Sequence, residues 1–198
     1  MVGAMTRLET LAERLARLGA DHGVEAAGTR AAVAAILREV PGAEGAELFF
    51  IRRADHPLDP WSGHVAFPGG RRDPEDTSLL ATAIRETREE VGIDLSPGHL
   101  VGRLPDVPAF SRSGRGDLVV TPFVFALTGE VTVAPNQEVA TTLWVPVATL
   151  ARPDVRTSFK LDHDGKSYEL PCIHLDPGRH RLWGMTLRML ETLLDAVR

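Results

Sequence analysis

Apolar residues recur at intervals of three and four between positions 80 and 91, the spacing of one stripe along an α-helix. Thr77 or Ser78 can cap the start of this helix, and Gly92 stands where helices commonly end in a left-handed residue. The opposite side of the predicted helix is polar and carries glutamates. The apolar stripe consists of Leu80, Ala83, Ile84, Thr87 and Val91, with Thr87 its least apolar member.

The rest of the pattern predicts helices and strands in mixed order. Helices are expected at residues 5–19, 27–39 and 180–197. Strands are expected at residues 46–52, 99–105, 117–127, 131–134 and 141–145, followed by a turn or short helix at 146–150 and a hairpin of 157–161 with 167–173. This order favours an α/β sandwich in a single domain. Residues 1–44 would form an N-terminal helical extension, and residues 45–198 the core.

Composition narrows the class of protein. A chain of 198 residues with 43% hydrophobic content can bury the core of one domain. Its apolar runs are too short for a membrane span, and its N-terminus lacks a secretory pattern. Cys172 is the single cysteine, which excludes an internal disulfide and favours a cytoplasmic location. The net charge of −5 argues against nonspecific binding to nucleic acid.

Three carboxylates, those of Glu86, Glu89 and Glu90, fall on the polar side of the predicted helix. Residues three and four apart on a helix are neighbours, with roughly 5–6 Å between Cβ atoms, so these charges repel one another. A solvated charged face is the simple interpretation. The functional one is a hard divalent cation held by oxygen ligands. The glycine pair Gly69-Gly70 would let the backbone approach such an ion closely, which favours metal-assisted chemistry on a phosphate.

The spacing of these residues resembles the Nudix box, G-x5-E-x7-R-E-U-x-E-E-x-G-U, in which U is a bulky apolar residue. The second half of the box matches at Arg85, Glu86, Glu89, Glu90, Gly92 and Ile93, with Thr87 at an apolar position.

The first half of the box departs from this pattern, because one extra residue separates Gly70 from Arg85. Asp76 holds the place of the first glutamate when counted from Gly70, and Thr77 holds it when counted from Arg85. The sequence therefore does not decide which of these two residues stands at the place of the first glutamate. Asp76 could supply a supporting carboxylate.

Residues outside the box resemble the extended signature of coenzyme A pyrophosphatases within the Nudix superfamily, LLTxR[SA]-x3-R-x3-G-x3-FPGG. Arg53-Ala54 matches its start, and Gly63 followed by Phe67-Pro68-Gly69-Gly70 matches its end. Leu58 or Asp59 stands where the signature has its second arginine. The segment Leu182-Trp183-Gly184-Met185-Thr186 is similar to the Trp-Gly-x-Thr helix start of the same subgroup.

The resemblance implies an α/β/α sandwich with a mixed β-sheet and a pyrophosphohydrolase that depends on Mg²⁺ or Mn²⁺. The implied substrate is a nucleoside diphosphate linked to another moiety, with coenzyme A or a derivative as the first choice. Arg85 is implied to orient a glutamate through a charged hydrogen bond. The base would be a box glutamate or Glu138. The implied metal ligands are the carbonyl oxygen of Gly70 and the carboxylates of Glu86, Glu89, Glu90 and Glu138.

Four arginines flank the glycine loop, and a guanidinium can bind phosphate with two parallel hydrogen bonds. At least one of Arg52, Arg53, Arg71 and Arg72 is expected to contact the substrate, and the others to face solvent or form ion pairs. ADP-ribose, dinucleoside polyphosphates and oxidised nucleotides remain alternative substrates. A module that senses a nucleotide without hydrolysing it is the alternative outside enzymology. A homodimer is possible, since Nudix enzymes are often dimers.

Overall fold

The computed structural model describes residues 11, 13–17, 29–39, 45–57, 62–95, 100–111, 114–163, 165–175 and 180–197. Strands β1 to β6 are Arg30–Glu39, Ala46–Arg53, Val65–Ala66, Gly69–Arg71, Leu100–Arg103 and Val107–Ser111. Strands β7 to β11 are Gly114–Thr128, Val139–Pro146, Arg156–His163, Lys166–His174 and Arg181–Trp183. The helices are α1 (Leu79–Val91), α2 (Val147–Leu150), α3 (Gly184–Val197) and a 3-10 turn at Pro153–Val155.

The main sheet is built around β1. This strand pairs in parallel with β7 along its whole length and in antiparallel fashion with β2 and β4. The path β3-β2-β1-β7-β5 carries the sheet, with β8 paired to β2 and β6 paired to β7. The predicted mixed sheet is therefore confirmed.

Apolar side chains cover both faces of this sheet. Along β1, Ala31, Ala35 and Leu37 join one hydrophobic cluster, which includes Leu15 of the N-terminal helical residues and Leu190 of α3. The intervening Ala32, Ala34 and Ile36 join the cluster on the other face, where Ala83 and Val91 of α1 pack. Helical residues thus lie on both sides of the sheet, as expected of an α/β/α sandwich.

The helix predicted at residues 27–39 is wrong, because residues 30–39 form the central strand β1. Its segment RAAVAAILRE is rich in alanine, which favours helices when considered locally. A strand buried on both faces reads as a continuous apolar run, and such a run cannot be told from a buried helix by periodicity. Burial between two apolar layers therefore overrides the local preference.

The strand predicted at 131–134 is also wrong, since residues 130–136 have no strand partner. Their amides bond instead to the end of α1, Ala134 N to Val91 O and Asn136 N to Glu90 O, each at 2.8 Å. These donors satisfy carbonyls that a helix leaves unpaired at its C-terminus. The segment is held against the helix rather than in the sheet.

The other predicted elements are confirmed with shifted ends. The hairpin becomes β9 and β10, which with β11 form a separate three-stranded antiparallel sheet. The final helix begins at Gly184, because residues 181–183 belong to β11. Of the helix predicted at 5–19, residues 11 and 13–17 are helical, and the rest lie outside the described residues. Within the described residues, no helix has the length and apolar character needed to cross a bilayer.

Candidate active site

Helix α1 begins and ends where the sequence predicts. The Ser78 hydroxyl accepts a hydrogen bond from Ala81 N at 3.1 Å, and Gly92 adopts a left-handed conformation with φ of 70°. The buried Thr87 hydroxyl donates to Ala83 O at 2.7 Å, which explains how a polar residue fits the apolar stripe. The helix is therefore fixed at both ends, and its polar face is directed at the glycine loop.

Glu90 is attached to this loop by a backbone hydrogen bond. The amide of Gly69 donates to Glu90 Oε2 at 2.8 Å, and the carboxylate is 3% exposed. A Cβ atom at Gly69 would lie 2.2 Å from Ala32 O, and the residue has φ of 146°, so the position requires glycine. The glycine lets the start of β4 lie close to the backbone of β1, and from there its amide reaches the glutamate.

Glu86 lies against the next residue of the loop. A Cβ atom at Gly70 would lie 2.5 Å from Glu86 Cδ and 2.6 and 2.7 Å from its two oxygens. The missing side chain of Gly70 therefore leaves the space that the Glu86 carboxylate uses. Glu86 and Glu90 occupy consecutive turns of α1, facing two consecutive glycines.

Arg85 is held in place by a carboxylate from the loop before the helix. Its Nε and Nη2 atoms donate to the two oxygens of Asp76, each at 2.9 Å, while Nη1 donates to Glu86 and Glu89, each at 3.0 Å. These hydrogen bonds hold the pKa of Asp76 well below its usual range and raise the pKa of Arg85.

The structure decides between the two residues that the sequence leaves open for the first acid. Asp76 is buried and contacts Arg85, whereas Thr77 is exposed. Asp76 also accepts hydrogen bonds from Asp73 N and from the Thr82 hydroxyl, each at 2.9 Å. The contact of Thr82 with Asp76 was not predicted from the sequence. The signal that could have indicated it is a polar residue in the first turn of the helix, beside the apolar stripe.

Glu89 and Glu138 lie at the exposed edge of this cluster. The Glu89 side chain is 57% exposed and pairs with Arg85. Glu138 is exposed, and its backbone is fixed by hydrogen bonds from its amide to Asn136 Oδ1 and from Ala54 N to its carbonyl oxygen, each at 2.8 Å. Burial is the main cause of the raised pKa values of Glu86 and Glu90, and the charge of Glu138 adds to it. The structure therefore brings Glu138 to the box although it lies 48 positions after Glu90 in sequence.

The glutamates around the box, which we call the acid cluster, carry more negative charge than the neighbouring arginines neutralise. Burial raises the pKa of Glu90 to about 7, against the opposing effects of the Gly69 amide and Arg53. Burial also raises the pKa of Glu86, although Arg85 opposes the shift. Carboxylates with such pKa values favour either a proton or a cation.

The four candidate arginines have different surroundings. Arg53 Nη1 lies 3.8 Å from Glu90 Oε1, so this guanidinium is at the acid cluster. Arg72 Nη2 donates to the carbonyl oxygen of Asp76 at 3.2 Å. Arg52 pairs with Asp55 at 3.0 Å, and Arg71 is exposed and offers its carbonyl oxygen to Arg85. Of the four, Arg53 has the position best suited to a ligand held by the glutamates.

The donor set is chemically suited to a hard cation, since it consists of carboxylate and carbonyl oxygens. The glycine at position 70 also fits this role, because any side chain there would displace Glu86. In the described parts of the chain, however, no three His, Cys, Asp or Glu side chains converge closely enough to hold a metal ion as they stand. Arg85 draws Glu86 and Glu89 toward itself, so the ligand set predicted from the sequence requires these side chains to turn.

Both the sequence and the fold are similar to those of known proteins. Residues 28–164 match the NUDIX domain family. The uncharacterized Nudix hydrolase NudL of Yersinia enterocolitica is 34% identical over 160 aligned residues, covering 76% of this chain and 73% of the relative.

Two solved structures share the fold. A MutT/nudix family protein from Enterococcus faecalis superposes with a TM-score of 0.57 at 17% identity, over 87% of this chain and 62% of the other. This chain thus spans less than two thirds of that protein. A MutT NUDIX hydrolase from Burkholderia pseudomallei gives a TM-score of 0.52 at 19% identity, over 83% of this chain and 96% of the other. From its domain match and its relatives, the chain belongs to the Nudix family.

Proposed function

We propose that this protein is a divalent-metal-dependent pyrophosphohydrolase that cleaves the diphosphate of a nucleoside diphosphate linked to another moiety, with coenzyme A or a derivative as substrate. One observation carries the proposal. The glycine loop presents one backbone amide to Glu90 and makes room for Glu86, so two carboxylates from consecutive helical turns meet one loop. Such an arrangement suits a cation that must also contact phosphate oxygens.

The proposed ligands of Mg²⁺ or Mn²⁺ are the Gly70 carbonyl oxygen and the carboxylates of Glu86, Glu89, Glu90 and Glu138. The pKa values of Glu86 and Glu90, raised mainly by burial and further by the neighbouring glutamates, support this assignment, because a bound cation would favour the charged carboxylates in this buried place. When bound, the ion supplies polarisation of the phosphoryl oxygens and a lowered pKa for the attacking water.

The remaining residues position these groups. Arg85, held by Asp76, is proposed to orient Glu86 and Glu89 through its hydrogen bonds. Arg53 lies beside Glu90 and is the arginine that we propose to contact the diphosphate. The base is proposed to be Glu138 or a box glutamate. Glu138 is exposed, whereas Glu90 is buried, so Glu138 has easier access to water.

The substrate is proposed from the coenzyme A pyrophosphatase signature around the glycine loop. Leu58 and Asp59, at the place of the missing arginine, lie outside the described residues. ADP-ribose and other nucleotides are therefore kept as competing substrates. A sensing module that does not hydrolyse its ligand is the less favoured function, since the three box glutamates and both loop glycines are present.

The test is a panel of diphosphates, incubated with the purified protein and Mg²⁺ or Mn²⁺ and resolved by ion-exchange chromatography. Glu90→Gln removes a proposed ligand, and Glu191→Gln, at an exposed position of α3, is the matched control. We expect coenzyme A to yield two phosphomonoesters with wild-type and Glu191→Gln protein, and turnover to fall at least 100-fold in Glu90→Gln.

Three other outcomes separate the parts of the proposal. Cleavage of ADP-ribose without cleavage of coenzyme A would keep the chemistry and reject the substrate. Equal turnover by Glu90→Gln would reject the assigned site. Binding of nucleotides with no turnover on the whole panel would favour the sensing module.

A further inference from the structure

Three aromatic side chains meet where the small sheet approaches the main one. The rings of His64 and Trp183 lie 4.7 Å apart between centroids at 63°, and those of Phe159 and Trp183 lie 5.2 Å apart at 77°. The Arg181 guanidinium lies 4.2 Å from the centroid of Phe159. We call His64, Phe159 and Trp183 the aromatic cluster.

The aromatic cluster is open to solvent, unlike another aromatic pair nearby. All three of its side chains are partly exposed. Phe50 and Phe67, which stack at 5.1 Å in the core, are 0% and 2% exposed. The partial burial of the three rings leaves part of their aromatic surface available to a ligand.

The aromatic cluster is connected to the acid cluster through one residue. The carbonyl oxygen of His64 accepts a hydrogen bond from Arg53 N at 3.0 Å, and Arg53 Nη1 lies 3.8 Å from Glu90 Oε1. His64 also directly precedes β3, from which the chain continues into the glycine loop. Arg53 thus contacts both the acid cluster and the segment that carries His64.

A nucleobase matches this surface chemically. Bases stack on aromatic side chains, and each stacked base contributes about 1–3 kcal/mol to binding. Arg181 places a guanidinium over the Phe159 ring, and this positive charge suits the phosphate of a nucleotide. A purely apolar ligand would gain nothing from this guanidinium group.

We propose that the aromatic cluster is the subsite for the base of the substrate, with Trp183 as its principal ring. The proposal rests on the function proposed above, since it takes the diphosphate to lie at the glutamates. Under this proposal, the protein recognises the substrate through its base as well as through its phosphates.

The test measures binding rather than turnover, so it does not depend on the proposed hydrolysis. AMP and ribose 5-phosphate, which differ by the base, are titrated into the full-length protein and followed by ligand-observed NMR in Mg²⁺. The variants are Trp183→Ala, Trp183→Phe and His64→Ala. Tyr168→Ala is the matched control, because Tyr168 is an exposed ring on the same face of the small sheet. It lies about 13 Å along β10 from Cys172, the residue that pairs with Trp183.

We expect Trp183→Ala to weaken AMP binding about tenfold and to leave ribose 5-phosphate binding unchanged. Trp183→Phe should retain most of the AMP affinity, His64→Ala should lose part of it, and Tyr168→Ala should bind as the wild type does. Equal losses for both ligands, or unchanged AMP binding in the two alanine variants of the aromatic cluster, would overturn the proposal. So would wild-type protein that binds AMP no better than ribose 5-phosphate.

The two proposals can fail separately. A base-specific loss in Trp183→Ala with no hydrolysis of any diphosphate would keep the subsite and reject the enzyme. Hydrolysis that is lost in Glu90→Gln, together with AMP binding that ignores Trp183, would keep the enzyme and reject the subsite. If Trp183→Ala does not fold, the comparison of Trp183→Phe with His64→Ala decides whether the aromatic cluster binds the base.

Discussion

At the scale of single residues, the site depends on two glycines. Other atoms fill the space that a side chain would need at each of these positions. Gly69 lies against the backbone of β1, and Gly70 lies against the carboxylate of Glu86. The sequence identifies both residues through the box. It does not show that the Gly70 space is filled by Glu86 or that the Gly69 amide bonds to Glu90, because these contacts join residues 16 and 21 positions apart.

Replacing Gly70 with alanine should displace Glu86, because the new Cβ would lie 2.5 Å from its Cδ. We expect diphosphate hydrolysis to fall about 100-fold, the loss that follows a misplacement of about 1 Å at a reacting centre. The free energy of unfolding, measured in urea, should also fall. In a Glu86→Ala background the same substitution should cost less stability, since the clash is gone. Equal costs in the two backgrounds would show that Glu86 does not fill this space.

The buried carboxylate of Glu90 makes stability depend on pH. Its pKa is raised from about 4.5 to about 7 in the folded protein, so the folded state binds the proton more tightly than the unfolded state. The metal-free protein should therefore lose stability as the pH rises from 4.5 to 7, by about 3 kcal/mol at most.

Glu90→Gln removes this titration and keeps an oxygen for the Gly69 amide. In EDTA, the variant should be nearly as stable as the wild type at pH 5 and more stable at pH 8. Urea denaturation at the two pH values measures the difference. A gap between the two proteins that does not change with pH would show that Glu90 titrates normally.

At the scale of elements, the link between the loop and helix α1 is the contact of Asp76 with Arg85. The sequence leaves Asp76 and Thr77 as equal candidates, since an inserted residue shifts the count. The structure resolves this because Asp76 also receives the Asp73 amide and the Thr82 hydroxyl, which fix its direction. Elements with local signals, such as the capped helix α1, are predictable from sequence. Strand β1 is not, because its identity depends on the neighbours β2, β4 and β7.

Asp76→Asn should break the ion pair with Arg85 and leave its guanidinium without its main partner. We expect a loss of about 2 kcal/mol in the free energy of unfolding at pH 7, less than the cost of removing one member of a fully buried pair, because Arg85 is partly exposed. The loss should shrink at low pH, because the stability that comes from the depressed pKa of Asp76 is fully present above the unfolded pKa and fades as the pH falls below it. Thr77→Ala, at the exposed neighbour, is the control and should change stability little. Equal effects of the two variants would contradict the role given to Asp76.

At the scale of the whole molecule, the sandwich brings distant segments to one end of α1. The segment before β8 bonds to the last carbonyls of the helix and to Ala54, which carries Glu138 to the box. The mixture of helices and strands in the sequence is sufficient for the fold class, although β1 is assigned wrongly as a helix. The signature contains Arg53 but does not show which arginine meets the acids, because the contact of Arg53 with Glu90 joins residues 37 positions apart and depends on tertiary packing.

The central claim is that the glutamates of α1, together with the glycine loop, form a divalent-cation site. Calorimetric titration of Mn²⁺ at pH 8 into wild-type, Glu90→Gln and Glu191→Gln protein tests it most directly. We predict that wild-type and Glu191→Gln protein bind Mn²⁺ equally and that Glu90→Gln binds it at least tenfold more weakly. Equal Mn²⁺ affinity in all three proteins would contradict the claim.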